Sequence, residues 1–178
     1  LFMSIKTLFA SFIATMLASP ALALSCLPHD VTDSYTQAAE AEASYVVVHG
    51  RLVFDETRLP KVDMTNQAAT PASTRIPALI SGKSLSKQGF ERRFETPISL
   101  DIECAGPWCA GAKSGIDYLA FLRVEPDGTY ALALNPCGGQ GFGEPSQEQL
   151  DQILTCHTGG PCLSGLIQLE QGEQAPAE

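Results

Sequence analysis

Six cysteines constrain this chain more than any other feature, because all of them, Cys26, Cys104, Cys109, Cys137, Cys156 and Cys162, lie beyond an apolar leader. The leader carries one basic residue, Lys6, then an apolar run from Leu8 to Ala18, then Ala21-Leu22-Ala23 with the small residues that signal peptidase requires. That run is too short for a membrane span, which needs about 20 residues. Residues 1–23 therefore read as a cleaved signal, residues 24–168 as one exported domain, periplasmic or extracellular, and residues 169–178 as a disordered acidic tail. Ala23-Leu24-Ser25-Cys26 also loosely resembles a lipoprotein cleavage box, and lipidation of Cys26 is the one route by which the domain would sit on a membrane. In an oxidising compartment an even cysteine count reads as three disulfides. Cys104 and Cys109 bracket Ala-Gly-Pro-Trp, and Cys156 and Cys162 bracket His-Thr-Gly-Gly-Pro, so both pairs could close short loops and leave Cys26 to Cys137. Spacing biases the connectivity without choosing among the fifteen that six cysteines allow.

Between the cysteines the pattern is mainly β, with flanking helices. Gly115 to Val124 is rich in aromatic and branched residues, Glu125-Pro126-Asp127-Gly128 supplies a turn, and Thr129 to Leu134 returns with Tyr130, Leu132 and Leu134 on one face, which predicts a hairpin. Ser44 to Phe54 is a long β-branched segment in which Gly50 predicts a bulge or sharp bend. Arg75 to Ser84 is a weaker strand, confined by Pro77 to an edge or a strand's start. In Phe90 to Cys104, Ile98, Leu100, Ile102 and Cys104 alternate with polar residues, as in a strand buried on one face. Helical signals lie in Gln37 to Ala43 and, with Ser146 as N-cap and Gln149 as its capping-box partner, in the segment running to Cys156. Residues 55–74 read as a mobile polar loop and Gly138 to Gly143 as a flexible connector.

Charge and motif exclude several functions. The chain carries 11 Lys and Arg against 20 Asp and Glu, a net charge of −9, and losing Lys6 with the leader takes the domain to about −10. Such a surface repels nucleic acid, and no basic stripe with interleaved aromatics offsets it. His29, His49 and His157 lack the spacing of a zinc site, Gly82-Lys83-Ser84 lacks the first glycine of a phosphate loop, and no Gly-x-Ser-x-Gly elbow occurs. No catalytic residue, metal ligand or cofactor site is expected. Trp108, between two cysteines, reads as a core anchor in preference to an exposed contact.

Taken together, Ser25-Cys26-Leu27-Pro28, then Ala43 to Leu52, then Tyr118-Leu119-Ala120-Phe121-Leu122, then Cys137 and a helix running to Cys156 resemble the N-terminal domain of tissue inhibitors of metalloproteinases and related netrin-like modules. The resemblance covers most of the exported chain. It implies a five-stranded, partly open barrel of the oligonucleotide/oligosaccharide-binding (OB) type with flanking helices, stabilised by disulfides. It also implies a tether from an early cysteine to one just after the later strands, the role that Cys26 and Cys137 match. The implied function is that of a monomeric module that binds a protein partner and has no catalysis. The alternative is a metalloprotease inhibitor whose mature N-terminus, Leu24, Ser25, Cys26, Leu27 and Pro28, is the wedge. In those inhibitors a Cys-x-Cys pair opens the chain, and the first cysteine's amine and carbonyl chelate the protease zinc at its open position. Here the matching position is Leu24, which has no disulfide to hold it.

Overall fold

The computed structural model describes residues 24–164. The expected signal and the acidic tail lie outside the described residues. The chain runs through α1 (Val31–Glu40), β1 (Tyr45–Phe54), β2 (Ser73–Ser86), β3 (Gly89–Ala105), the two-residue β4 (Trp108–Cys109), β5 (Ile116–Val124), β6 (Tyr130–Leu134), β7 (Gly141–Gly143) and α2 (Gln147–His157). It is mainly β sheet with two helices.

β1 pairs antiparallel with β2 along one edge, from Val48 to Phe54, and with β5 along the other, from Tyr45 to Leu52. β2 pairs with β3, and β3 pairs in parallel with β6, Ser99 through Ile102 facing Ala131 through Leu134. β6 returns to β5, so the pairings β1-β2-β3-β6-β5 lead back to β1. The expected hairpin is correspondingly brief. β5 and β6 share only Arg123↔Ala131 and Val124↔Tyr130 before β6 leaves for β3.

Gly50 is not a bulge, because the register with Gly82 and Tyr118 runs through it without a shift. It is a site of close approach. A Cβ on Gly50 would lie 2.6 Å from the Ser81 carbonyl oxygen, and one on Gly82 would run into the His49 carbonyl and the Gly50 Cα. The two glycines face each other and let β1 and β2 coil tightly. Pro77 is tolerated in β2 because pairing with β1 begins only at Ala78, so Pro77 has β3 alone as a neighbour.

Alternation sorts the side chains into two cores. Val48, Leu52, Ile76, Ile80, Leu100, Ile102, Leu122 and Leu132 fill the inner one. Leu119 and Phe121 point the other way, into an outer cluster with Val31 of α1 and Leu150 and Ile153 of α2. β5 is thus buried on both faces, which is why Tyr118 to Leu122 reads as an unbroken apolar run. α1 starts at Asp30, whose carboxylate accepts from the Thr32 and Asp33 amides, and α2 starts with the expected capping box of Ser146 and Gln149.

The connector and the loop carry more structure than their composition suggests. Gly141 to Gly143 is a strand on β5, and a Cβ on Gly141 would meet the Leu134 side chain at 2.7 Å, so glycine is what lets it lie against β6. Residues 55–74 contain two short 3-10 turns, Glu56–Arg58 and Gln67–Ala69, with Asp55 and Asp63 accepting from Thr57 and Thr65.

If the glycine pair sets the coil of the sheet, Gly82→Ala must push backbone from backbone. We expect a loss of at least about 3 kcal/mol in urea unfolding, against under about 1 kcal/mol for Gly111→Ala, where a Cβ meets nothing within 4 Å. Equal midpoints for the two variants would contradict this.

Candidate functional site

The parallel contact of β3 and β6 delivers both strands to the same end of the sheet, one into Glu103 and Cys104, the other into Asn135 and Cys137. All three cysteine pairs form at this distance scale: Cys26 with Cys137, Cys104 with Cys109 and Cys156 with Cys162, at Cα separations of 5.4, 3.9 and 4.8 Å. Two of them act at the end just described. In the chain-entropy account, a bridge closing a loop as long as that between Cys26 and Cys137 contributes about 4–5 kcal/mol, and the short ones about 2 kcal/mol each.

The Cys26–Cys137 bridge fixes an N-terminal strap, Leu24 to Asp30, onto the turn that follows β6. The Asn135 side chain accepts from the Cys137 amide at 2.9 Å and shapes that turn. Next along the strap, the His29 Nε2 lies 2.8 Å from the Gly139 carbonyl oxygen, and its ring stacks on Phe142 at 3.8 Å with an interplanar angle of 10°. Gly138, at φ +114°, has no side chain because the His29 ring occupies the place where one would go. Asp30 then opens α1. The strap is therefore held at Cys26, at His29 and at the helix start, while its side chains between them face solvent. Leu27 is 83 % exposed and Leu24 40 % exposed.

Beside the strap, Cys104–Cys109 closes a loop of four residues. Gly106 takes φ +60° to make the turn, and Ala105 and Cys104 pair back with Trp108 and Cys109. The Ala110 amide donates to the Glu103 carbonyl and the Cys104 amide to the Ala72 carbonyl, both at 2.9 Å. So short a loop cannot fold its tip back onto the core, and Trp108, the only tryptophan, stands 44 % exposed. The expectation that Trp108 anchors the core is corrected: the disulfide presents the indole outward.

A cavity of about 330 Å³ lies under the strap, bounded by residues 25–30, Glu103, Asn135 and Gln140. Its charged lining, Asp30, Asp33 and Glu103, is acidic and contains no lysine or arginine. Close by, Asp101 receives a two-pronged contact from Arg75 at 2.9 and 3.1 Å and the Ser99 hydroxyl at 2.6 Å. Burial pushes the Asp101 carboxyl up, and these donors outweigh it, holding the group ionised below the usual carboxylate range. This contact locks β2 to β3 just before the pinned end.

The structure thus gathers Leu24, Ser25, Cys26, Leu27 and Pro28 into one exposed strap, and it brings Trp108 to the same end of the sheet. It keeps the three histidines apart: His29 on Phe142, His49 edge-on to Phe90, His157 against the Tyr35 hydroxyl. Among the described residues no group of three or more His, Cys, Asp or Glu could hold a metal ion, and no helix is long and apolar enough to cross a membrane. The spacing of the histidines assigns His29 no role. Only its place between Pro28 and the helix-capping Asp30 hints at a fixed position, and its partners lie more than 100 residues away.

An outward Trp108 has a direct readout. Its fluorescence in the native, oxidised protein should be quenched by acrylamide nearly as well as in the unfolded chain. A native indole shielded from acrylamide would place Trp108 in the core after all. Comparison with family models, curated proteins and solved structures gives no match for this chain.

Proposed function

We propose that this chain is an exported, disulfide-stabilised binding module with the plan of a five-stranded OB-like, netrin-like barrel, and that it engages a protein partner through its disulfide-pinned end without catalysis. The pairing circuit β1-β2-β3-β6-β5-β1, with one parallel contact and helices outside, supports the barrel plan. Three bridged cysteine pairs fit an oxidising compartment.

The observation that carries the reading is the exposure of Leu24, Leu27 and Trp108 on two segments that disulfides hold still. Exposed apolar side chains are common when scattered, as Val53, Met64 and Leu79 are here, but Leu24, Leu27 and Trp108 stand on the two disulfide-closed segments at one end. Tryptophan is among the residue types that dominate binding energies, and a pre-ordered loop avoids the entropy of ordering on contact. Immobilised protein should retain a partner from the exported fraction, and Leu27→Asp with Trp108→Ala should lower that retention at least tenfold, while Leu79→Ser, in β2 and outside both disulfide-closed segments, leaves it unchanged. Retention indifferent to the strap and to Trp108 would overturn the reading.

One observation favours the inhibitor alternative: Cys26 pins the chain two residues after Leu24, so a terminus at Leu24 would offer its amine and carbonyl from a held base. Under that alternative, protein beginning at Leu24 slows a zinc metalloprotease, and a single residue added before Leu24 abolishes the effect. The binding-module reading expects the two forms to behave identically.

A further inference from the structure

At the other end of the sheet lies a cavity of about 680 Å³, between the corner that joins α1 to β1 and the tip of the β2–β3 hairpin. Its size falls in the range of small-molecule sites, roughly 300 to 1,000 Å³. One wall is the end of the inner core. Val46, Phe94 and Tyr130 pack on that core and also face the cavity, with the Phe94 and Tyr130 rings edge to face at 5.3 Å. The opposite wall carries Tyr35, whose hydroxyl is 3.1 Å from the His157 Nδ1. Aromatic rings thus meet the space from two sides.

Two independent features single out Arg92 on the rim. Arg92 is the only lysine or arginine among the residues lining the cavity, and like Arg58, but unlike Arg51, Arg75, Arg93 and Arg123, it has no carboxylate within 4 Å among the described residues. The lining also contains one carboxylate, that of Glu42. The second feature is the backbone. Ser84 faces Arg92 while Leu85 faces Phe90, so Glu91 is an extra residue in β3. In a regular strand residues 90 and 92 share a face. The bulge sends Phe90 to the outer cluster under the helices and leaves Arg92 beside Phe94 at the cavity. Re-aiming a side chain is what bulges next to binding sites do.

We propose that this cavity binds a small organic anion with an apolar, ring-bearing body, Arg92 holding the anionic group and Phe94, Tyr130 and Tyr35 enclosing the ring. The site is separate from the strap and does not depend on its partner.

Calorimetric titration of the intact oxidised protein with 4-phenylbutyrate and with its uncharged analogue 4-phenylbutanol tests this. The acid should bind saturably with a dissociation constant below about 1 mM and at least tenfold more tightly than the alcohol. Arg92→Gln should cost the acid at least tenfold and leave the alcohol unchanged. Ala39→Trp, which fills the cavity from an exposed helix position, should abolish binding of both, and Leu27→Asp should change neither. Equal binding of acid and alcohol, an Arg92→Gln protein that binds the acid normally, or no saturable binding of either compound would each overturn the proposal.

Discussion

Everything in this structure depends on β1 hydrogen-bonding strands on both of its edges over nearly the same residues. Val48 to Leu52 bonds β2 on one side and β5 on the other, and because the pairings β1-β2-β3-β6-β5 lead back to β1 the sheet must coil. Side chains at the tightest point would hold the strands apart, and the chain places Gly50 opposite Gly82 there. Glycine in a strand costs roughly 0.5–1 kcal/mol in backbone entropy. The return is burial of the inner core, each of whose fully enclosed leucines and isoleucines is worth about 1.5–3 kcal/mol.

The same coil brings β3 alongside β6, and the parallel contact there has consequences at both ends. At one end it sets Glu103 and Asn135 side by side, so that a disulfide after each strand freezes a strap and a four-residue loop next to one another. At the other it leaves Phe94 and Tyr130 as the last layer of the core, open to the cavity of about 680 Å³. One end presents apolar side chains outward on fixed backbone, as a surface for another protein requires. The other offers a hollow with aromatic walls and an unpaired guanidinium, as a small ligand requires.

Local chemistry was legible in the sequence and long-range geometry was not. The alternation of Ile98, Leu100 and Ile102 and the Ser146–Gln149 capping box depend on neighbours a few residues apart and appear as read, and the short-range cysteine pairs, which spacing favoured without choosing, are the ones formed. Gly50 was recognised as a special position, but a single glycine cannot say whether it bulges or admits a facing strand, because the answer sits at Gly82. The β5–β6 hairpin was visible, whereas its early parting depends on a parallel contact with a strand some thirty residues earlier. Gly138 to Gly143 read as a connector because its order comes largely from His29 and β5, which are remote in sequence. Trp108 misled for a different reason: a large indole favours burial, and only the closure of Cys104 on Cys109 denies it a path inward.

The central claim is that the pinned end is rigid before any partner arrives. Amide ¹⁵N relaxation of the oxidised protein measures this directly at Cys26, Leu27 and His29 in the strap and at Gly106 and Trp108 in the small loop. The account predicts order parameters near those of the strands, about 0.85. Values below about 0.6 at these amides would show a strap and loop that move freely, and would contradict it.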